Sequence, residues 1–117
     1  MRNAGQPSSR VFKTAWFAKA AKKAGIADRE LCVAVREAMR GQADDLGGGV
    51  FNRSIILARG GRHWVYEYLF AKKDRDNIAV DELAAFRALA KAYAGLNQAQ
   101  IEKLLQDQDL TEICNGD

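Results

Sequence analysis

Two kinds of periodicity divide this chain. From residue 15 to about 40, and again after residue 80, apolar positions recur every three or four residues; between 53 and 72 they alternate. RVFKT, residues 10–14, is short and β-prone and can start a sheet. In AWFAKAAKKAG, Trp16, Phe17, Ala20, Ala21 and Ala24 form an apolar stripe flanked by Lys19, Lys22 and Lys23. This predicts a helix that docks through Trp16 and Phe17 and stops at Gly25. Asp28 is placed to cap a second helix, DRELCVAVREAMRG, with a stripe of Leu31, Val35, Ala38 and Met39 and an end at Gly41. The short connection predicts an αα-hairpin.

DDLGGGVFN reads as a turn region, since three consecutive glycines favour neither regular structure. RSIILAR (53–59), Gly60-Gly61 and RHWVYEYLFAK (62–72) read as a β-hairpin with a two-residue turn suited to positive φ. Alternation puts Trp64, Tyr66, Tyr68 and Phe70 on one face and His63, Val65, Glu67 and Leu69 on the other. VDELAAFRALAKAYAGL is an amphipathic helix carrying Leu83, Phe86, Leu89, Ala90 and Tyr93, with Asp81 and Glu82 in its first turn. NQAQIEKLLQDQ is a shorter helix capped by Asn97, and DLTEICNGD an acidic end with a brief extended piece. The order predicts an α+β fold: a small antiparallel β-sheet with the N-terminal helical hairpin and a C-terminal helix packed on it. Residues 1–9 read as a disordered tail, 10–108 as the domain and 109–117 as an acidic C-terminal tail.

Composition narrows the function classes. At 117 residues, 48% hydrophobic and 28% charged, the chain suits one domain with a modest core. Residues 1–75 hold 15 Lys/Arg against 7 Asp/Glu, a net of +8, and residues 76–117 hold 3 against 8, a net of −5. A basic body with an acidic end suits an anionic partner. No apolar run approaches the ~18 residues that span a membrane. Cys32 and Cys114 form neither a disulfide framework nor a metal motif, so two reduced thiols and a cytoplasmic location are expected. The single histidine, His63, disfavours a catalytic triad, a His-based metal site and a His acid–base pair. It reads as an exposed residue at a strand start, with Glu67 on its face the one nearby carboxylate. No phosphate-binding glycine loop is present. Any enzyme chemistry falls to Lys, Arg, Tyr, Glu or Asp.

The cations therefore carry the functional question. Lys72, Lys73 and Arg75 crowd the exit of the aromatic strand in FAKKDRDNI. They are either a solvated turn with weak Lys/Arg–Asp pairs or a cluster that holds phosphate. Asp74 and Asp76 would orient them or cap the next element. Arg53, Arg59 and Arg62 flank the hairpin, where a guanidinium can grip two phosphate oxygens at once. Lys13, Lys19, Lys22 and Lys23 could extend this surface, or form a solvated helix face. Tyr66 and Tyr68 are core if their face packs on the helices, and base-stacking candidates if it is open.

VFKTAWFAKAAKKAGIAD, ADDLGGGVF, FAKKDRDNI and DELAAFRALAKAYAGL, in this order and spacing, resemble bacterial toxins of the RelE/HigB group in the RelE/ParE superfamily. The resemblance spans about residues 10–108. It implies the toxin half of a type II toxin–antitoxin pair: a ribosome-dependent mRNA endoribonuclease whose basic residues promote attack by the ribose 2′-OH, without a cofactor. It assigns Lys72, Lys73 and Arg75 as catalytic and Arg53, Arg59, Arg62, Lys13 and Lys19 as RNA-binding. The implied partners are a helix-turn-helix antitoxin, the ribosome and mRNA, with no membrane. Such relatives carry a further basic, Gly-rich strand and loop before the segment matching RSIILAR. Here Phe51-Asn52 joins directly to Arg53, which implies a sheet lacking one strand. That departure keeps a non-nuclease alternative open: a ParE-like gyrase inhibitor, or a degenerate toxin that still binds antitoxin.

Overall fold

The computed structural model describes residues 10–39, 53–71 and 79–114. The elements run β1 (Arg10–Thr14), α1 (Ala15–Ala24), α2 (Asp28–Met39), β2 (Arg53–Arg59), β3 (His63–Ala71), α3 (Val80–Ala94), α4 (Gln98–Gln106) and β4 (Leu110–Ile113). The α+β class and the helical hairpin follow the sequence pattern. The tail at 1–9, the glycine run, Gly41 and the Phe51-Asn52 junction, on which the expectation of one strand fewer rests, lie outside the described residues, as does the Met39 side chain.

The sheet order is β2-β3-β1-β4. It is mixed where an antiparallel sheet was expected: β1 runs parallel to β3, with Arg10 opposite His63 and Lys13 opposite Tyr66. β1 is central because both of its edges are used, the second by β4 in antiparallel register from Val11–Ile113 to Thr14–Leu110. The brief extended piece of the acidic end is thus β4, a strand of the sheet.

Helices cover both sheet faces. Alternation along β1 sends Val11 one way and Phe12 the other. Val11 joins Phe17 and Ala21 of α1 and Leu31, Val35 and Ala38 of α2 in the larger core. Phe12 joins Val65, Ala58, Leu110 and Ile101 of α4 in the smaller one, against which Ala90 and Tyr93 of α3 pack.

The caps explain the helix ends. Thr14 Oγ1 accepts from Phe17 N at 3.0 Å to start α1, and Gly25 ends it in the left-handed region at φ 75°. Asp28 is the first residue of α2 rather than its cap: the Ala27 carbonyl accepts from Glu30 and Leu31, and the Asp28 carboxylate takes the Lys13 ammonium at 2.6 Å. Asn97 and Gln100 exchange backbone-to-side-chain bonds of 2.8 Å each, a capping box for α4.

Two cysteines far apart in sequence meet. Cys32 of α2 and Cys114, just past β4, form a disulfide with Cα atoms 5.5 Å apart, at a sequence separation of 82. The expectation of two separate thiols is corrected: α2 lies on the sheet face where β4 ends, which spacing alone does not reveal. On the opposite face of the sheet, the Arg10 guanidinium grips Glu112 of β4 through Nε and Nη2 at 3.0 and 2.8 Å and reaches Glu102 of α4 at 3.3 Å. The Glu112 bonds raise the Arg10 pKa further above its ordinary value.

Candidate functional site

The hairpin closes by Gly60 N donating to the His63 carbonyl at 2.8 Å, so Gly61 and Arg62 are its tip. The predicted two-residue turn shifts by one, and neither glycine there needs positive φ. Gly60 is required for space. A Cβ at Gly60 would meet the His63 ring and lie 2.7 Å from the Ala94 carbonyl oxygen. His63, expected to be exposed, is 6% exposed, and its Nε2–H donates to the Tyr93 carbonyl at 2.8 Å. It serves to dock the end of α3 on the hairpin.

β3 is interrupted by a bulge that alternation did not foresee. Ile56 pairs with Tyr68 and Leu57 with Tyr66, which leaves Glu67 without an opposite residue. The faces therefore switch midway. Trp64, Tyr66 and Leu69 all enter the larger core. Tyr66 is fully buried and donates its hydroxyl to the Leu31 carbonyl at 2.6 Å; burial raises its pKa above the ordinary phenol value. Tyr68 turns the other way and stacks on Phe86 of α3, ring centroids 4.4 Å apart.

The bulged Glu67 is 3% exposed, and both of its carboxylate oxygens lack a hydrogen-bond partner. Burial pushes its pKa up to about 7. Tyr93 is raised as well, by burial first and then by the charges of Glu67 and Asp109.

Past Thr14, β3 has no β1 neighbour, because the chain turns into α1. Trp16 reaches Tyr68 there, with ring centroids 5.3 Å apart. Phe70 lies 5.5 Å beyond on the same row. Trp16 was expected in the core with Phe17. Phe17 is fully buried, but Trp16 is 65% exposed. The helix period holds the missed signal: Phe17, Ala21 and Ala24 make a narrow arc, whereas Trp16 falls two turns from Lys23 on the basic side.

The predicted cations divide into two groups. The Arg53 backbone pairs with Ala71, the residue before Lys72 in the chain. Arg59 pairs with Trp64 near the opposite end of the nine-residue β3, about 23 Å away at the rise of an extended strand. There Arg59 lies over the Trp64 ring at 5.1 Å, and exposed Arg62 borders a cleft of about 420 Å³ with Arg10, His63 and Gln98. Lys13 is held by Asp28, and Lys19 is exposed on α1. Lys72, Lys73 and Arg75, together with the Arg53 side chain, lie outside the described residues. Among the described residues no cluster of His, Cys, Asp and Glu could hold a metal ion, and no helix is long and apolar enough to cross a membrane.

A mixed four-stranded sheet with helices on both faces and an N-terminal helical hairpin defines a small α+β domain. The family model described as the RelE toxin of the RelE/RelB toxin–antitoxin system matches residues 9–113. The chain belongs to this RelE toxin family, and its class implies an antitoxin partner. No curated protein and no solved structure gave a significant match.

Proposed function

We propose that this protein is a ribosome-dependent mRNA endoribonuclease of the HigB type, acting in the cytoplasm and neutralised by a helix-turn-helix antitoxin. What supports the reading is the family match over nearly the whole chain together with β3, which runs from a buried, hydrogen-bonded framework directly into Lys72. In this reading the ribose 2′-OH attacks the adjacent phosphorus, the bond to the 5′ oxygen breaks, and a 2′,3′-cyclic phosphate and a 5′-OH remain. Lys72, Lys73 and Arg75 offset the charge that builds on the phosphorane oxygens. Arg53 belongs with them, since its backbone pairs at the same strand end. Arg59, Arg62 and Lys19 take more distant phosphates, and Lys13 contributes only when its pair with Asp28 opens.

The experiment is induction without antitoxin, with growth and mRNA 5′ ends followed together. Wild type should arrest growth and yield cut messages. The triple change Lys72→Ala, Lys73→Ala, Arg75→Ala should abolish both. Continued arrest and cleavage by the triple variant would sink the assignment, and gyrase-dependent DNA breaks in place of cut mRNA would support the non-nuclease alternative.

A further inference from the structure

An exposed tryptophan needs a reason. Most of the Trp16 indole faces water, although its neighbour Phe17 is fully buried one residue away. Packing on Tyr68 covers only part of it, at a ring tilt of 58°. Tyr68 is itself anchored by its stack on Phe86, so Trp16 rests on a fixed aromatic base. Its surroundings on α1 are basic. Lys19 and Lys23 follow at three and seven residues, on the same side of the helix, and both are exposed. The helix carries Lys19, Lys22 and Lys23 and no acidic residue. An aromatic face beside a line of cations is the arrangement that holds single-stranded nucleic acid, with bases stacking and phosphates running along the charges.

We propose that Trp16 is a base-stacking platform for single-stranded RNA, with Lys19 and Lys23 taking the phosphates on either side of the stacked nucleotide. The inference deepens the nuclease reading and rests on it for the choice of RNA. The platform sits against Tyr68 of β3, with Phe70 next along the same row. A protein partner would also value an exposed tryptophan. The unbroken positive charge of α1 favours the polyanion.

The test uses purified wild type, Trp16→Phe and Trp16→Ala, titrated at low salt with a fluorescein-labelled oligouridylate. RNA anisotropy and protein fluorescence are read together. Trp64 is 7% exposed and lies under Arg59, and the Trp16→Phe protein records its response to RNA alone, to be subtracted. Because Trp16 is exposed, all three proteins should melt at similar temperatures. The expected result is quenching of the Trp16 component on RNA binding, affinity about tenfold weaker in Trp16→Ala, and near-wild-type affinity in Trp16→Phe. Lys19→Ala with Lys23→Ala should flatten the salt dependence. RNA binding without quenching, affinity unchanged in Trp16→Ala, or no RNA binding by wild type each overturns the proposal. So does a Trp16→Ala defect confined to antitoxin binding. If wild type binds RNA through Trp16 but cuts no message in a translating extract, the nuclease reading falls and the platform stands.

Discussion

The Thr14 hydroxyl donates to the carbonyl of the bulged residue Glu67 at 2.8 Å while accepting from Phe17 N at 3.0 Å. One side chain thus starts α1 and satisfies the backbone where the β1–β3 ladder ends. Thr14→Ala should lose a cap worth about 1 kcal/mol and a buried hydrogen bond worth about as much again. Thr14→Ser should recover most of that. Urea midpoints check the order wild type, Ser, Ala; equal midpoints for Ser and Ala would show that the hydroxyl does not matter.

Glu67 makes stability depend on pH. Its folded pKa of about 7 lies above its ordinary value, so the folded state holds an extra proton between the two. Stability from this group is highest below its ordinary pKa and falls as pH rises toward 7, by on the order of 2 kcal/mol. Glu67→Gln should melt higher than wild type at pH 8 and show a flatter profile from pH 5 to 8. Parallel profiles for the two proteins would rule the buried carboxylate out as the cause.

Gly60 should tolerate no side chain. Gly60→Ala pushes a methyl against the His63 ring and the Ala94 carbonyl, which separates the hairpin from α3. A loss of about 2 kcal/mol is expected. Gly60→Ala combined with His63→Ala should cost less than the two changes added, since the ring is the main obstacle; strict additivity in urea unfolding would refute the packing account.

The Cys32–Cys114 bridge closes a long loop, and such bridges contribute about 2–4 kcal/mol. Dithiothreitol should lower the melting temperature of wild type and leave the double variant Cys32→Ala, Cys114→Ala unmoved. An equal response in the two proteins would mean that the bridge carries no stability.

Local chemistry was legible from the residues; long-range geometry was not. Gly25, Asn97 and the apolar stripe of Leu31, Val35 and Ala38 act through neighbours a few positions away, and each does what its pattern predicts. The α+β class follows from those elements. The parallel pairing of β1 with β3 depends on partners more than fifty residues apart, which no short window contains. The bulge is one residue of slippage, yet it separates Tyr66 from Tyr68 and explains why a single face assignment fails for both. For the candidate site, the cations could be named from sequence, and the 53–59 strand already set Arg53 and Arg59 at its two ends; the register adds that Arg53 pairs beside Lys72 in the chain and Arg59 with Trp64. Trp16 was misread because the first helix has to dock and Trp16 was counted with Phe17 in its docking stripe, where its angle around the helix pointed to the lysines.

The central place of β1 also orders events in time. Arg10 waits for His63, and Val11 for Ile113, so the first strand made is among the last to be sealed on both edges. During synthesis α1 and α2 can form early, while β1 stays unpaired through most of elongation. Contacts this distant in sequence slow folding. A freshly made toxin therefore passes through an interval in which its own first strand is open, and a partner present at that moment meets a chain whose sheet is not yet closed.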